Sequence, residues 1–494
     1  KALEAFRQSL EAYRALPGTE RPQAVCLLDI GNALGDVGRY TEALATYHQA
    51  LEAYRQLEGA TRAQGDCLYN IGNVLLSRLG RYAEALEAYQ QALEAYRQVE
   101  GSERDQADCV INTGRALDAL KRREEALSAF YQALEAYRTV PGTVRQQADC
   151  LLRAGNALDD LGRYTEALTT YHRALETYQQ VEDSTRGQAN CLYNIGGTLR
   201  STERYAEALA TYHQALEAYQ QVEDSTRDQA DCLNGTGLAL AGRGRCEEAL
   251  EAYRQALETY RQVEATERRQ ALVMFNTGSA LEKLGRYEEA ATAHEQSLDL
   301  YQQIKGTERQ QAICRENMAN CLRRAGRPEE ALATYRQALE TYRLTEDSER
   351  DQADCMLSTG NVLDDVGRYE EALTAYRQAL ETYRRVEGTT QVQGICLRNT
   401  GNTLRRAGRP EEALSAYRQA LELYRTVPGT LRRQALCLLD TGNALDDLGR
   451  YEEAVDLYGQ ALEAYRKVEG TTRAQGLCLE NTGNTLRRLG RYEE

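Results

Sequence analysis

Apolar positions along this chain recur at threes and fours. In the stretch Gln147 to Val181, QADCLLRAGNALDDLGRYTEALTTYHRALETYQQV, the residues Leu151, Ala154, Leu158 and Leu161 fall on one helical face. Gly162 follows as a C′ residue that can turn left-handed and stop the helix. A second stripe then runs through Tyr164, Ala167, Leu168, Tyr171, Ala174, Leu175, Tyr178 and Val181. Its length predicts a second helix of about 18 residues. A loop such as VEGT or VPGT comes next, with Gly to close one helix and Thr or Ser to cap the following one. Pro328 and Pro410 stand at the start of second helices, where a missing N–H costs little. No stretch alternates with period two, so no sheet is expected.

The same pattern is copied along the whole chain. The Tyr of segments like GRYEEAL, or its replacement, stands at Tyr40, Tyr82, Arg123, Tyr164, Tyr205, Cys246, Tyr287, Pro328, Tyr369, Pro410, Tyr451 and Tyr492. The first interval is 42 residues and the others are 41, so one residue is inserted, near Leu76. A lone helical hairpin cannot bury both its faces. Stacked hairpins can, and their stability is then close to a sum of unit and nearest-neighbour contributions. The absence of Trp and the excess of Tyr (32) over Phe (3) also suit copied segments.

These residues resemble the tetratricopeptide repeat family. The resemblance rests on Leu151, Gly155-Asn156, Leu158, Gly162, Tyr164, Ala167, Tyr171 and Ala174, and it recurs at fixed phase through the chain. The period is 41 instead of 34, Leu151 stands where the family often has Trp, and the second helix runs on where the family usually closes with Pro. Those departures look like the long-repeat branch typified by kinesin light chains. The resemblance implies an all-α fold, a right-handed α-solenoid superhelix of about twelve stacked helix-turn-helix repeats. It also implies a concave groove lined by the residue after the first-helix glycine. That residue is Asn32, Asn73, Asn156, Asn320, Asn361, Asn402, Asn443 and Asn484 in eight repeats. An amide offers both a donor and an acceptor, which suits a peptide backbone of any sequence. The alternative is that these asparagines contact only a neighbouring turn. Asparagines three residues earlier, such as Asn70, Asn194, Asn399 and Asn481, are read as structural.

The ends of the first helices carry charge pairs in five successive repeats: Arg323-Arg324, Asp364-Asp365, Arg405-Arg406, Asp446-Asp447 and Arg487-Arg488. The sign alternates each time, so an 82-residue double unit overlies the 41-residue one. Asp in a last helical turn opposes the macrodipole, which calls for a compensating partner. Arginines of the adjacent repeat are the nearest candidates. The other reading is a groove of alternating charge that meets a patterned partner.

Composition narrows the function. A net charge of -15 does not suit a phosphate backbone, so no nucleic-acid partner is expected. No apolar run approaches the roughly 20 residues of a membrane span. Eleven of thirteen cysteines share one first-helix position, represented by Cys150, Cys355 and Cys437, with Val273 in its place once. Neighbouring copies should lie roughly 10 Å apart, too far for a disulfide, whose Cα atoms lie within about 7 Å. A ladder of buried free thiols, a reducing compartment and a cytoplasmic location are expected. The four histidines (His48, His172, His213 and His294) read as solvated or half-buried helix residues. No nucleophile–base set, cofactor motif or metal motif survives the repetition, so neither enzyme activity nor a cofactor is expected.

Lys1 and Glu494 stand at the same phase of the repeat, so the array starts and ends inside one. A fragment of a longer array or a filament protomer would both read this way. The expected function is a non-catalytic scaffold that binds a peptide or partner helix along its groove. The alternatives are a structural protein polymerising head to tail and the sensor arm of a larger signalling protein.

Overall fold

The computed structural model describes residues 1–493, and among them are twenty-four α-helices and no strand. First helices such as Val144–Asp160, Glu349–Asp365 and Leu431–Asp447 are 17 residues long. Second helices are slightly shorter, as in Tyr164–Tyr178 with 15 residues. By its internal contacts the chain falls into two compact units, Lys1–Val263 and Glu264–Glu494. Each unit is a run of helical hairpins in which every helix packs on the next, and within each unit first helices of successive repeats also touch.

The first turn of each hairpin forms as the glycine signal predicts. Gly162 has φ +73° and the Arg163 N–H donates to the Leu158 carbonyl at 2.9 Å. Pro328 and Pro410 occupy the first residue of their helices. The inserted residue of the 42-residue interval is absorbed as a π-helical turn, Leu75–Leu79, at the end of the first helix Thr61–Val74.

The loop after the second helix departs from the expected capping. Ser184 sits at the N-cap position but makes no cap bond from its side chain, because its backbone (φ -100°, ψ 9°) is not extended. Its hydroxyl instead donates backwards, to the carbonyls of Tyr178 (2.6 Å) and Val181 (2.7 Å). The Gln188 amide donates to the same hydroxyl at 3.0 Å. The second helix ends at Tyr178, three residues before Val181, and is shorter than the apolar stripe suggests. Thr430, Tyr424 and Gln434 repeat the arrangement.

Packing within a hairpin depends on one glycine. A Cβ placed on Gly155 would lie 2.5 Å from Cε1 of Tyr171, and one on Gly401 would lie 2.5 Å from Cε1 of Tyr417. At these positions the ring lies directly on the bare Cα of the first helix, and a methyl there would require it to shift. The second buried tyrosine of the same helix reaches across the hairpin to an acid on the first helix, beside the cysteine of its own repeat, as Tyr96 does to Asp66 (2.7 Å) and Tyr383 to Asp354 (2.5 Å). All thirteen cysteines are free and buried. The Cys396 thiol donates to the Tyr376 carbonyl at 3.1 Å and Cys437 to Tyr417 at 3.2 Å, each reaching the preceding repeat. Burial pushes the thiols of Cys150 and Cys396 up to about 12.

Candidate functional site

The asparagine row is built into the hairpins through its acceptor side. Oδ1 of Asn361 accepts the hydroxyl of Tyr376 at 2.9 Å, Asn402 that of Tyr417 at 2.7 Å and Asn443 that of Tyr458 at 3.0 Å. Asn32, Asn73, Asn156 and Asn320 accept from Tyr47, Tyr89, Tyr171 and Tyr335 in the same way, at 2.6–2.8 Å. Apart from Tyr335, which faces Ala319, these tyrosines are the ones lying on the helical glycines, so ring packing and amide orientation are coupled. Asn484 is exposed in the first helix Thr472–Arg488.

A second bond joins repeats. Nδ2 of Asn399 donates to Oδ1 of Asn361 at 2.9 Å, and Asn481 does the same to Asn443 at 2.9 Å. Asn194 bonds Asn156 at 2.8 Å and Asn70 bonds Asn32 at 3.3 Å. With Oδ1 holding one or two hydrogens already, Nδ2 is the group that the half-buried amides of Asn361, Asn402 and Asn443 have left to offer a ligand. The expectation of a donor and an acceptor at each position therefore narrows to a donor.

The charge pairs are linked to one another across repeats. Asp364 is 9% exposed; its Oδ1 accepts Thr403 at 2.8 Å and its Oδ2 accepts Arg406 at 2.7 Å. Asp446 repeats this with Thr485 (2.9 Å) and Arg488. The second aspartate of each pair looks the other way, Asp365 to Arg323 at 3.0 Å and Asp447 to Arg405 at 3.1 Å. Each first aspartate thus pairs with the following repeat and each second with the preceding one. Asp159 and Asp160 show the same division, to Thr198 (2.6 Å) and Arg123 (2.9 Å).

Cavities open elsewhere. One of about 430 Å³ lies between the second helices Pro410–Thr426 and Tyr451–Arg466, with Leu414, Arg418 and Leu457 on its walls and Leu438 and Leu445 on its floor. At about 100° per residue, Asn443 projects well away from Leu438 and Leu445 on the same helix. A cavity of about 380 Å³ occupies the same register further up the chain, around Leu168, His172, Ile195 and Leu199.

The profile of the tetratricopeptide repeat matches residues 1–56, 24–98, 66–139, 147–221, 188–262, 269–343, 353–426 and 434–494, and a second tetratricopeptide profile matches 316–388. The chain belongs to the tetratricopeptide repeat family. No curated protein sequence matches it. Among solved structures it is similar to the apo form of RapI, at 15% identity and a TM-score of 0.54, over 73% of this chain and 97% of that one. A Rap protein complexed with competence and sporulation factor is similar at 14% identity and TM-score 0.44, over 74% and 98% of the two chains. BtubC from P. vanneervenii is similar at 16% and 0.41, over 46% and 92%. The likeness to RapI is one of fold. The tetratricopeptide repeats make the chain a protein–protein interaction scaffold, and no helix among the described residues is long and apolar enough to cross a membrane.

One tetratricopeptide junction departs from the others, and the sequence reading passed over it. His294 was expected to be solvated or half-buried, but it is fully buried in the place of the ring tyrosine. Its Nε2 lies 3.0 Å from Oε1 of Glu282, and the Cys321 thiol bonds the same carboxylate. Burial opposes the Glu282 charge, yet the bonds from His294 and Cys321 and the charge of Arg324 outweigh it and hold the carboxyl below its usual range. Burial, with the Glu282 carboxylate alongside, pushes the Cys321 thiol up. The signal was available as a coincidence. Glu282, His294 and Cys321 occupy the register positions of Asp364, Tyr376 and Thr403, so three exchanges meet at one junction.

Proposed function

We propose that this tetratricopeptide array is a non-catalytic scaffold that binds an extended peptide along the face of its first helices. What supports the reading is the row of partly exposed asparagine amides whose oxygens are held by tyrosine hydroxyls, which leaves the Nδ2 donors as the groups a ligand could meet. A row of donors repeating once per hairpin suits the main-chain carbonyls of an extended segment. A partner helix has most of those carbonyls bonded internally, so it fits this row less well. The net charge of -15 favours a protein partner over nucleic acid. Thirteen unpaired thiols favour a reducing, cytoplasmic setting. The inter-repeat charge ladder fixes neighbour order in this reading, and leaves Arg405, Arg406, Asp364, Asp365, Asp446 and Asp447 as positioning residues behind the row.

The test is a peptide-library selection on the full chain, followed by the triple change Asn361→Asp, Asn402→Asp and Asn443→Asp. Asp keeps the oxygen that the tyrosine hydroxyl needs and removes the donor. At roughly 1 kcal/mol per hydrogen bond, selected peptides should lose on the order of 100-fold in affinity. Unchanged affinity in a folded triple variant contradicts the reading.

A further inference from the structure

Glu282, His294 and Cys321 put a carboxylate oxygen, an imidazole nitrogen and a thiol sulfur within 4.8 Å of one another. They come from three helices, Glu267–Lys283, Tyr287–Gln302 and Glu308–Arg324, so each is held independently. His294 and Cys321 are completely buried and the Glu282 side chain is 21% exposed. The His294 ring is seated on Gly278, whose hypothetical Cβ would lie 2.6 Å from ring Cε1. That seat aims Nε2 at Glu282, while Nδ1 is buried with no hydrogen-bond partner. An imidazole buried with an unpaired nitrogen is costly. The same seat holds a tyrosine with a bonded hydroxyl at Tyr376 and Tyr458, so among these junctions it is the His294 one that turns a ligand nitrogen toward a carboxylate and a thiol.

We infer that Glu282, His294 and Cys321 form a three-ligand site for Zn²⁺. Sulfur, nitrogen and carboxylate oxygen in one pocket are the donor set that zinc takes, with a fourth position left for water. Calcium and magnesium require oxygen ligands throughout, and copper(I) prefers sulfur to carboxylate. Zinc bonds of about 2.0–2.3 Å put tetrahedral ligands roughly 3.3–3.8 Å apart, so closure needs a contraction of about 1 Å from the upper limit seen here. On binding, the Cys321 S–H bond gives way to S–Zn and its proton passes to solvent. The thiolate and the carboxylate then balance the two positive charges, which suits a buried site. Glu282 and His294 belong to one hairpin and Cys321 to the next, so the ion ties two successive repeats together. This departs from the expectation that the chain has no metal site.

The test uses the full chain, stripped with a chelator and titrated without oxygen with Co²⁺ as a spectroscopic probe for Zn²⁺. The expected result is one equivalent bound, with a thiolate-to-cobalt charge-transfer band and the intense visible bands of a four-coordinate site. Zn²⁺ should displace the cobalt and raise the thermal midpoint. Cys321→Thr and His294→Tyr install the residues used at the same register in other repeats, and both should abolish the band with helical circular dichroism unchanged. Cys321→Ala, matching Ala280 and Ala444, serves if the Thr variant unfolds. A folded parent without the band, or a band that survives undiminished in the Cys321 variants, overturns the assignment.

Discussion

Two junctions in the C-terminal unit have the same geometry and different chemistry. Around Tyr376, an aspartate (Asp364), a tyrosine and a threonine (Thr403) form a closed network in which the hydroxyls and the Arg406 guanidinium all find acceptors. Around His294, the same three positions hold Glu282, an imidazole and a thiol, and one ring nitrogen is unpaired. The backbone scaffold is indifferent to the exchange, since a helical glycine seats either ring. What differs is capacity for a ligand. The Tyr376 junction offers hydroxyls around one carboxylate, and the His294 junction gathers the nitrogen, sulfur and carboxylate oxygen of the proposed zinc site.

The largest separation between the two should come from truncating the rings. Tyr376→Ala removes a fully buried ring and leaves Asn361 without its hydroxyl partner; a loss of about 3–5 kcal/mol is expected. His294→Ala removes a smaller ring and a group that is itself poorly satisfied, so its loss should be smaller. Denaturant unfolding followed by circular dichroism, comparing midpoints because long arrays are not strictly two-state, checks the order.

Adding a methyl should come next. Gly360→Ala drives a Cβ to 2.5 Å from Cε1 of Tyr376 and should cost about 1–3 kcal/mol by overpacking. Gly483→Ala, where nothing lies within 4 Å of the new methyl, should instead gain roughly 0.5–1 kcal/mol from helix propensity. Thermal midpoints moving in the same direction would refute the ring-seat account. Nature has made one such exchange: Ala319 stands at the glycine position opposite Tyr335, and that ring still reaches Asn320 at 2.6 Å.

The charge ladder predicts a smaller and directional effect. Arg406→Asp alone sets a second carboxylate against Asp364 and should cost about 1–2 kcal/mol. Rescue should come from Asp364→Arg and not from Asp446→Arg, because Arg406 pairs backwards. Arg405 pairs forwards and needs Asp447→Arg for its own rescue. The more exposed Arg323–Asp365 bridge should yield less, at most about 1 kcal/mol.

A pH experiment sharpens the comparison at a neighbouring repeat. Tyr342 bonds Glu316 at 2.8 Å, where other repeats use an aspartate three residues earlier in register. Burial raises the Glu316 carboxyl from its ordinary 4.5 to about 7, although the Tyr342 hydroxyl pulls it down. The folded value lies above the unfolded one, so the stabilising contribution is complete below about pH 4.5 and is lost as pH rises through about 7. Glu316→Gln should therefore raise the thermal midpoint at pH 8 and change it little at pH 4.

The hairpins, turns and repeat phase were legible in the sequence because they follow from local rules: threefold and fourfold apolar spacing, a turn glycine, a proline at a helix start. The alternation of Arg405-Arg406 with Asp446-Asp447 pointed to pairing between repeats, yet its crossed pattern depends on distances that no one-dimensional reading holds. Thr430 and Ser184 looked like caps, and only the backbone angles reveal hydroxyls turned backwards. His294 was visible as a replacement for tyrosine. Its burial beside Glu282 and Cys321 was hidden, since these residues lie up to 39 positions apart and meet only through hairpin stacking.

The central claim is that the asparagine donors meet a peptide, and a crystal structure of the chain with a selected peptide tests it most directly. The account predicts Nδ2 of Asn361, Asn402 and Asn443 within about 3.2 Å of peptide oxygens, with the tyrosine bonds to Oδ1 intact. A peptide lodged in the cavity between Leu414 and Leu457, with the asparagine row bare, would contradict it.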